Sequence, residues 1–193
     1  MGALFDALNV VYGERERRSI VRFYATTFLF TIGAVVFVVA AISGVVVLPI
    51  VLKFVGFPLP AEIVLSVARW PILLVVVVAA LAVVYRFGPS RRKPQWTWVT
   101  AGSVAAAFLW IAASMLFSWY VASFDSYNRT YGSLGAGVGF MVWIWISVVI
   151  VLVGAELNAE MEHQTARDTT TGAEKPLGER GATMADHVGE AQA

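Results

Sequence analysis

The chain has 193 residues, of which 59% are hydrophobic and only 14% are charged. Because soluble domains carry roughly 25% charged residues, this composition excludes an ordinary soluble domain and predicts an integral membrane protein. The net charge of +1 provides no general attraction to nucleic acid, and the absence of cysteine excludes disulfides, thiol catalysis and zinc–thiolate sites.

The chain opens with a segment that is too short to cross a membrane. Residues 3–12 are mostly apolar, and a basic run containing Arg15, Arg17, Arg18 and Arg22 follows them. A spanning helix needs roughly 20 apolar residues, so we interpret this segment as the end of a helix that began earlier. Residues 1–22 are therefore assigned to a truncated helix end and a basic cytoplasmic segment.

Three uncharged segments follow and predict three membrane spans. Residues 23–52 form the first span and residues 94–124 form the third. The intervening uncharged run, 70–85, covers only about 24 Å as a helix, which is less than a hydrocarbon core of about 30 Å. The second span should therefore begin nearer Ala61, which would draw Arg69 into the membrane.

Residues 134–155 predict a fourth span of about 33 Å after a short polar loop at 125–131. Small residues allow neighbouring helices to approach closely, and the glycines predicted to serve this packing are Gly132, Gly135, Gly139 and Gly154. Trp143 and Trp145 lie near the middle of this span. Because an indole N–H needs an acceptor in hydrocarbon, at least one of them should face the bundle.

The remaining residues, 163–193, are rich in Thr, Gly, Ala and charge and lack an apolar period, so they predict a disordered polar tail. Basic residues cluster at 15–22 and 86–93, which by the positive-inside rule places both termini in the cytoplasm. The fold prediction is therefore an all-α, polytopic transmembrane helix bundle. Its four complete spans occupy residues 23–162.

Four polar residues are candidates for a transport or polar site: Arg69, Glu156, Asn158 and Glu160. A charge drawn into the bilayer, such as Arg69, marks either a transport path or a side chain that reaches the outer interface. Glu156 and Glu160 share a helix face and could bind a cation or relay a proton, or they could form a solvated helix end. The two histidines lie at or in the tail, and neither a metal site nor a cofactor is predicted.

Four local patterns, in the same order, resemble those of the YihY/BrkB family of bacterial inner-membrane proteins, some of which were once labelled ribonuclease BN. They are Ala7, Leu8, Asn9 and Tyr12 before the basic run; Arg69 with Pro71; Tyr85 with Pro89; and Tyr131, Gly132, Leu134 and Ala136 followed by Leu152, Gly154, Ala155 and Glu156. The resemblance covers residues 7–160 and implies the last four spans of a six-span fold. We therefore expect a fragment or a start codon assigned too far downstream.

Two classes of function remain open. The first is a non-catalytic component of the bacterial inner membrane that supports envelope integrity through a homo-oligomer or other membrane proteins. The second is a transport or lipid-handling role, in the form of a secondary transporter or lipid translocase that uses Arg69 and Glu156. A ribonuclease is rejected because no cluster of His, Asp or Glu suited to phosphodiester hydrolysis occurs in the soluble parts. The lipid bilayer is the expected partner, and nucleic acid is not.

Overall fold

A computed structural model describes residues 1–47, 50, 54, 59–123 and 125–189 of the chain. The α-helices within these residues are α1 (Gly2–Val11), α2 (Ile20–Ile42), α3 (Leu59–Phe87), α4 (Thr97–Ser123), α5 (Asp125–His163) and α6 (Thr183–Asp186), with a π-helical turn at Ser43–Val47 directly after α2. Extended pairing in this part of the chain is limited to an isolated bridge between Pro94 and Thr170. The all-α prediction is confirmed.

Four helices are long and apolar enough to cross a membrane. Their apolar windows are Ile20–Ile42, Trp70–Phe87, Thr97–Val121 and Gly137–His163. Threonine hydroxyls within the first window donate to carbonyls of the helix itself, as Thr26 Oγ1 does to the Arg22 carbonyl at 2.7 Å. Large apolar side chains along the windows remain exposed, as expected where lipid is the solvent. The four-span prediction is confirmed for the described residues.

The second spanning helix begins near the position predicted from the thickness of the hydrocarbon core. α3 starts at Leu59, two residues before the predicted position, and therefore contains both Arg69 and Pro71. An internal proline removes one backbone hydrogen bond, a loss that membrane helices can accommodate through neighbouring groups.

The last spanning helix begins earlier than predicted. α5 contains 39 residues, about 58 Å of helix, so the segment predicted to be a polar loop at 125–131 is helical. The reason is that this segment holds no proline, and its polar side chains can continue a helix beyond the hydrocarbon. Residue 124, which separates α4 from α5, lies outside the described residues.

α4 and α5 form the most extensive helix pair, and α3 packs against α4. Tryptophan–serine hydrogen bonds join α4 to α5: Trp110 Nε1 donates to Ser147 Oγ at 3.0 Å, and Trp143 Nε1 donates to Ser114 Oγ at 3.4 Å. The prediction that one tryptophan of the pair faces the bundle is confirmed by Trp143. Trp145, in contrast, is 65% exposed.

A buried apolar cluster lies where α1 meets the ends of the spanning helices. Its members are Phe5, Leu8, Tyr12, Ala82, Tyr85, Val99, Ala155 and Ala159. α1 packs on α5 and α2 through this cluster. We call the region formed by α1, the loop after α3 and the C-terminal turns of α5 the polar end of the bundle.

Residues 164–189 pack on the polar end, which differs from the disorder predicted for the tail. The Gln95 N–H donates to the Thr169 carbonyl at 2.8 Å, and the Thr171 N–H donates to the Lys93 carbonyl at 3.0 Å. Composition alone cannot reveal such pairing, because the partners of the tail lie about 75 residues earlier in the chain.

Arg180 and Asp168 organise the tail internally. The Arg180 guanidinium donates to the backbone carbonyls of Ala166, Arg167, Lys175 and Ala185. Burial alone would raise the pKa of Asp168, but hydrogen bonds from Thr170 and from the Lys175 N–H outweigh burial and lower that pKa. The tail thus supplies its own polar partners around two buried charged residues.

Candidate functional site

Arg91 and Glu162 form a buried ion pair at the polar end. Each side chain is 1% exposed, and Arg91 Nη1 pairs with Glu162 Oε2. The second carboxylate oxygen, Glu162 Oε1, accepts a hydrogen bond of 2.5 Å from the Thr169 hydroxyl. The Arg91 guanidinium also lies 4.0 Å from the centre of the Tyr12 ring. This one pair therefore joins α1, the loop after α3, the end of α5 and the tail.

The Tyr12 hydroxyl adjoins this pair. Burial raises the pKa of Tyr12 to about 12, although the positive charge of Arg91 acts in the opposite direction. The hydroxyl has no hydrogen-bond partner of normal geometry among the described residues, while the Asn158 side chain lies close enough to affect its pKa. Tyr12 therefore remains protonated near neutral pH.

Asn158 connects two membrane helices at a close crossing. Its Oδ1 accepts a hydrogen bond of 2.7 Å from the Gly102 N–H, and its Nδ2 donates to the Val99 carbonyl at 3.3 Å. A Cβ atom on Gly102 would overlap the Gly154 carbonyl oxygen, and one on Gly154 would lie 2.6 Å from the Ala106 Cβ. Both positions require glycine because the two backbones are in contact there.

A second polar junction ties α1 to the loop after α3. Asn9 Oδ1 accepts from the Ser90 N–H at 2.7 Å, and Asn9 Nδ2 donates to Glu16 Oε2 at 3.1 Å. Arg18 donates to both carboxylate oxygens of Glu16 and also to the Gly88 carbonyl. The hydrogen bonds from Arg18 are the main reason that the pKa of Glu16 falls to about 2.

Beside this junction, between α2 and α3, lies a cavity of about 830 Å³ that we call the basic groove. Its basic lining residues are Arg17, Arg18, Arg22, Arg86, Arg91, Arg92 and Lys93, and no Asp or Glu is among the described residues of the lining. Leu29, Phe30 and Val83 add an apolar wall on the side of the spanning helices. The groove is therefore cationic at one end and apolar at the other.

A second cavity, of about 310 Å³, lies between the same two helices and is called here the apolar cleft. Its lining residues are Phe37, Ala40, Ala41, Gly44, Leu65, Ala68, Ile72, Leu73 and Val76. From Phe30 to Phe37 on α2, and from Val83 to Val76 on α3, the displacement is about 10 Å along the helix axis. The apolar cleft therefore lies farther from the polar end than the basic groove does, along the same helix pair. The backbones of α2 and α3 make only sparse contact in the described residues.

The predicted polar residues separate onto different surfaces. Glu156 and Glu160 are exposed on α5, and Glu160 lies 3.9 Å from His163 Nδ1. Asn158 is buried on the other side of that helix. The backbone of Arg69 belongs to α3, while its side chain lies outside the described part of the structure. The transport role of these residues stays a prediction.

The predicted packing glycines also differ from one another. Gly154 occupies the crossing with Gly102, whereas a Cβ on Gly139 would meet only the Phe117 ring, at an ordinary contact distance of 3.8 Å. Gly135 is partly buried, and the surroundings of Gly132 lie outside the described residues. Close packing in the described structure is therefore centred on Gly154.

Sequence reasoning missed Arg91, Glu162 and Gly102. A signal was present, because Gly154, Asn158 and Glu162 recur at intervals of four and so share one helix face. That face is the buried one, whereas the pair that attracted the prediction, Glu156 and Glu160, lies on the exposed face. Among the described residues, no group of three His, Asp or Glu side chains is arranged to hold a metal ion.

The chain is similar to a known family over most of its length. A model of the family described as virulence factor BrkB matches residues 1–178. YfkH of Bacillus subtilis (strain 168), a protein named as ribonuclease-like, is 33% identical over 170 residues, which cover 82% of this chain and 59% of YfkH.

Two UPF0761 membrane proteins match shorter segments. The protein from Neisseria meningitidis serogroup B is 35% identical over 79 residues, covering 41% of this chain and 19% of that protein. The one from Alkalilimnicola ehrlichii is 33% identical over 114 residues, covering 58% of this chain and 25% of that protein. This chain thus spans less than two thirds of the length of these relatives. No solved structure matches it.

Proposed function

This chain belongs to the virulence factor BrkB family, and on that premise we propose that it is a non-catalytic, lipid-handling component of the bacterial inner membrane that supports envelope integrity. In this proposal a phospholipid occupies the space between α2 and α3. The polar end faces the cytoplasm, because it carries the basic residues that the positive-inside rule assigns to that side.

The observation that carries this proposal is the order of the two cavities. The basic groove lies at the polar end, and the apolar cleft lies about 10 Å deeper along the same two helices. A phospholipid has the same order, with a charged headgroup at the interface and acyl chains in the hydrocarbon. A soluble, polar metabolite would gain no favourable contacts in the second cavity, because the described lining of that cavity is entirely apolar.

The carboxylates of the polar end support a non-catalytic role. Glu162 is paired with Arg91, and Glu16 accepts hydrogen bonds from Arg18. Hydrolysis of a phosphodiester requires a base or a metal-binding carboxylate beside the substrate, and the part of the basic groove that the structure describes has no Asp, Glu or His in its lining. The ribonuclease-like name of YfkH therefore does not transfer to this site. Glu156 is exposed on the outside of α5, so no observation favours a secondary transporter that uses Glu156 with Arg69.

The experiment measures lipid retained by the purified chain. Native mass spectrometry after exchange into a mild detergent should detect a bound phospholipid on the wild-type protein. Ala41→Trp places a large side chain in the apolar cleft and should abolish retention. Val39→Trp is the matched control, because Val39 is 58% exposed and lies outside the cleft lining.

Equal retention by the two variants, or no lipid on the wild-type protein, would overturn the proposal. Occupation of the cleft by another polypeptide would also overturn it. That outcome would appear as a crosslink between a photoreactive residue at position 41 and a second copy of the chain or another protein.

A further inference from the structure

We propose that the basic groove selects anionic phospholipids by binding the headgroup phosphate through Arg86 and Arg92, with Arg22 and Lys93 adding to the positive potential. This inference rests on the proposed function and adds the class of lipid to it. Three of its seven basic residues have carboxylates nearby, Arg18 with Glu16, Arg91 with Glu162 and Arg17 with Glu14 at 3.9 Å.

The other four basic residues, Arg22, Arg86, Arg92 and Lys93, have no carboxylate within 4 Å in the described part of the chain. Their charges therefore remain available to a ligand. An anion that enters the groove meets a net positive potential, because the nearby carboxylates of Glu14, Glu16 and Glu162 face only three of its seven basic residues. Attraction of anionic headgroups to basic residues at a membrane surface is well established.

Two of these arginines present hydrogen-bond donors that lack acceptors. Arg86 Nε, Arg86 Nη1 and Arg92 Nη1 are buried and have no hydrogen-bond partner among the described residues. A buried donor without an acceptor is unfavourable, and a guanidinium matches the spacing of phosphate oxygens. A phosphate group in the groove would satisfy these donors.

Aromatic rings hold the Arg86 and Lys93 side chains in place. The Arg86 guanidinium carbon lies 4.1 Å from the centre of the Trp96 ring, and Lys93 Nζ lies 4.7 Å from the centre of the Phe87 ring. Stacking of this kind restricts the orientation of the cation before a ligand arrives. The Arg86 donors are therefore preorganised, which reduces the entropic cost of binding.

The apolar wall decides between two sources of phosphate. Leu29, Phe30 and Val83 line the same groove on the side of the spanning helices. Free phosphate would contact only the cationic part and leave this wall unused. A phosphodiester headgroup attached to acyl chains contacts both parts, so the ligand is an anionic phospholipid rather than inorganic phosphate.

For the test, the full chain is embedded in nanodiscs or vesicles that contain either phosphatidylglycerol or phosphatidylcholine. The displacement of a fluorescent phospholipid from the protein then measures how strongly each lipid binds. Wild-type protein should prefer phosphatidylglycerol by roughly tenfold or more, and each removed charge should reduce that preference by about fivefold. The variants are Arg86→Gln and Lys93→Gln. Lys93 is exposed, so its replacement preserves the fold even if Arg86→Gln does not.

Arg15→Gln is the matched control, since Arg15 belongs to the same basic run, is exposed and does not line the groove. It should change the preference less than twofold. If Lys93→Gln and Arg15→Gln changed the preference equally, the assignment of the headgroup site to the basic groove would be wrong. Equal binding of the two lipids by wild-type protein would also overturn the selectivity while leaving the proposed function intact. Loss of all lipid retention would instead defeat the proposed function itself.

Inorganic phosphate provides the last arm. At matched ionic strength it should displace no more lipid than chloride does. Displacement specific to phosphate, and abolished by Arg86→Gln, would identify free phosphate as the ligand and overturn the lipid assignment.

Discussion

The backbone N–H of Gly102 in α4 donates a hydrogen bond of 2.7 Å to the side-chain oxygen of Asn158 in α5. The amide of Asn158 in turn donates to the Val99 carbonyl one turn earlier on α4. Because Gly102 has no side chain, the amide of Asn158 can reach the backbone of the neighbouring helix directly. Asn158 thus helps to hold the apolar surfaces of α4 and α5 in register, together with the Trp110–Ser147 and Trp143–Ser114 hydrogen bonds.

Replacing Asn158 should destabilise the bundle. Asn158→Leu removes both hydrogen bonds and deprives the Gly102 N–H of this buried acceptor, a loss of about 1–3 kcal/mol. Thermal unfolding in detergent measures the effect. Glu160→Gln is the control on the same helix, because Glu160 is exposed, and it should leave the midpoint unchanged. An unchanged midpoint for Asn158→Leu would contradict the bridging role.

Gly154→Ala should also destabilise the bundle. The new methyl group would lie 2.5 Å from the Tyr85 hydroxyl and 2.6 Å from the Ala106 Cβ, so the helices would have to separate. Overpacking of this kind typically costs about 1–3 kcal/mol. Gly137→Ala is the matched control, because nothing lies within 4 Å of its new methyl group. It should be neutral or slightly stabilising, and equal losses at both positions would disprove the crossing.

Breaking the Arg91–Glu162 pair should be more damaging than removing it entirely. Glu162→Ala leaves a buried guanidinium without its carboxylate, and such losses are about 3–5 kcal/mol. The double variant Arg91→Met, Glu162→Met removes both charges and should recover part of that stability. A double-mutant cycle on thermal or denaturant unfolding provides the comparison. Strictly additive losses would show that the pair is not coupled.

Removing the tail should lower the stability of the membrane domain. Truncation after Thr165 deletes Thr169, which donates to Glu162 and accepts from the Gln95 N–H. The thermal midpoint should fall, and protease sites in the loop after α3 should become more accessible. Removal of residues 190–193 alone is the control. If the longer truncation behaves like this control, the docking of the tail contributes nothing to stability.

Acid should weaken the junction at Glu16. Its folded-state pKa is lowered to about 2 from an ordinary value of 4.5, chiefly by the hydrogen bonds from Arg18. The resulting stabilisation is complete above pH 4.5 and is lost as the pH falls towards 2. The midpoint difference between wild type and Glu16→Gln should therefore shrink over this interval. A difference that stays constant with pH would exclude the ionised Glu16 as its source.

The positions of the membrane-spanning helices could be predicted largely from local sequence. Runs of apolar residues long enough to cross hydrocarbon are a property of each segment alone, and α2, α3 and α4 appear where those runs occur. The start of α3 near Ala61 followed from length, because 16 residues cannot span the core. The inward orientation of Trp143 followed from the need of its indole N–H for an acceptor.

What the tertiary structure alone decided depends on contacts between distant parts of the chain. In the sequence Arg91 is one member of the basic cluster at 86–93, and its buried ion pair depends on Glu162, 71 residues later in the chain. The tail is polar in composition, yet its partners on the loop after α3 make it ordered. The cavities between α2 and α3 likewise belong to neither helix. The length of an apolar run is a property of one segment. Pairing, burial and cavities depend on how several segments are placed relative to one another, and the local sequence around any one residue does not specify that placement.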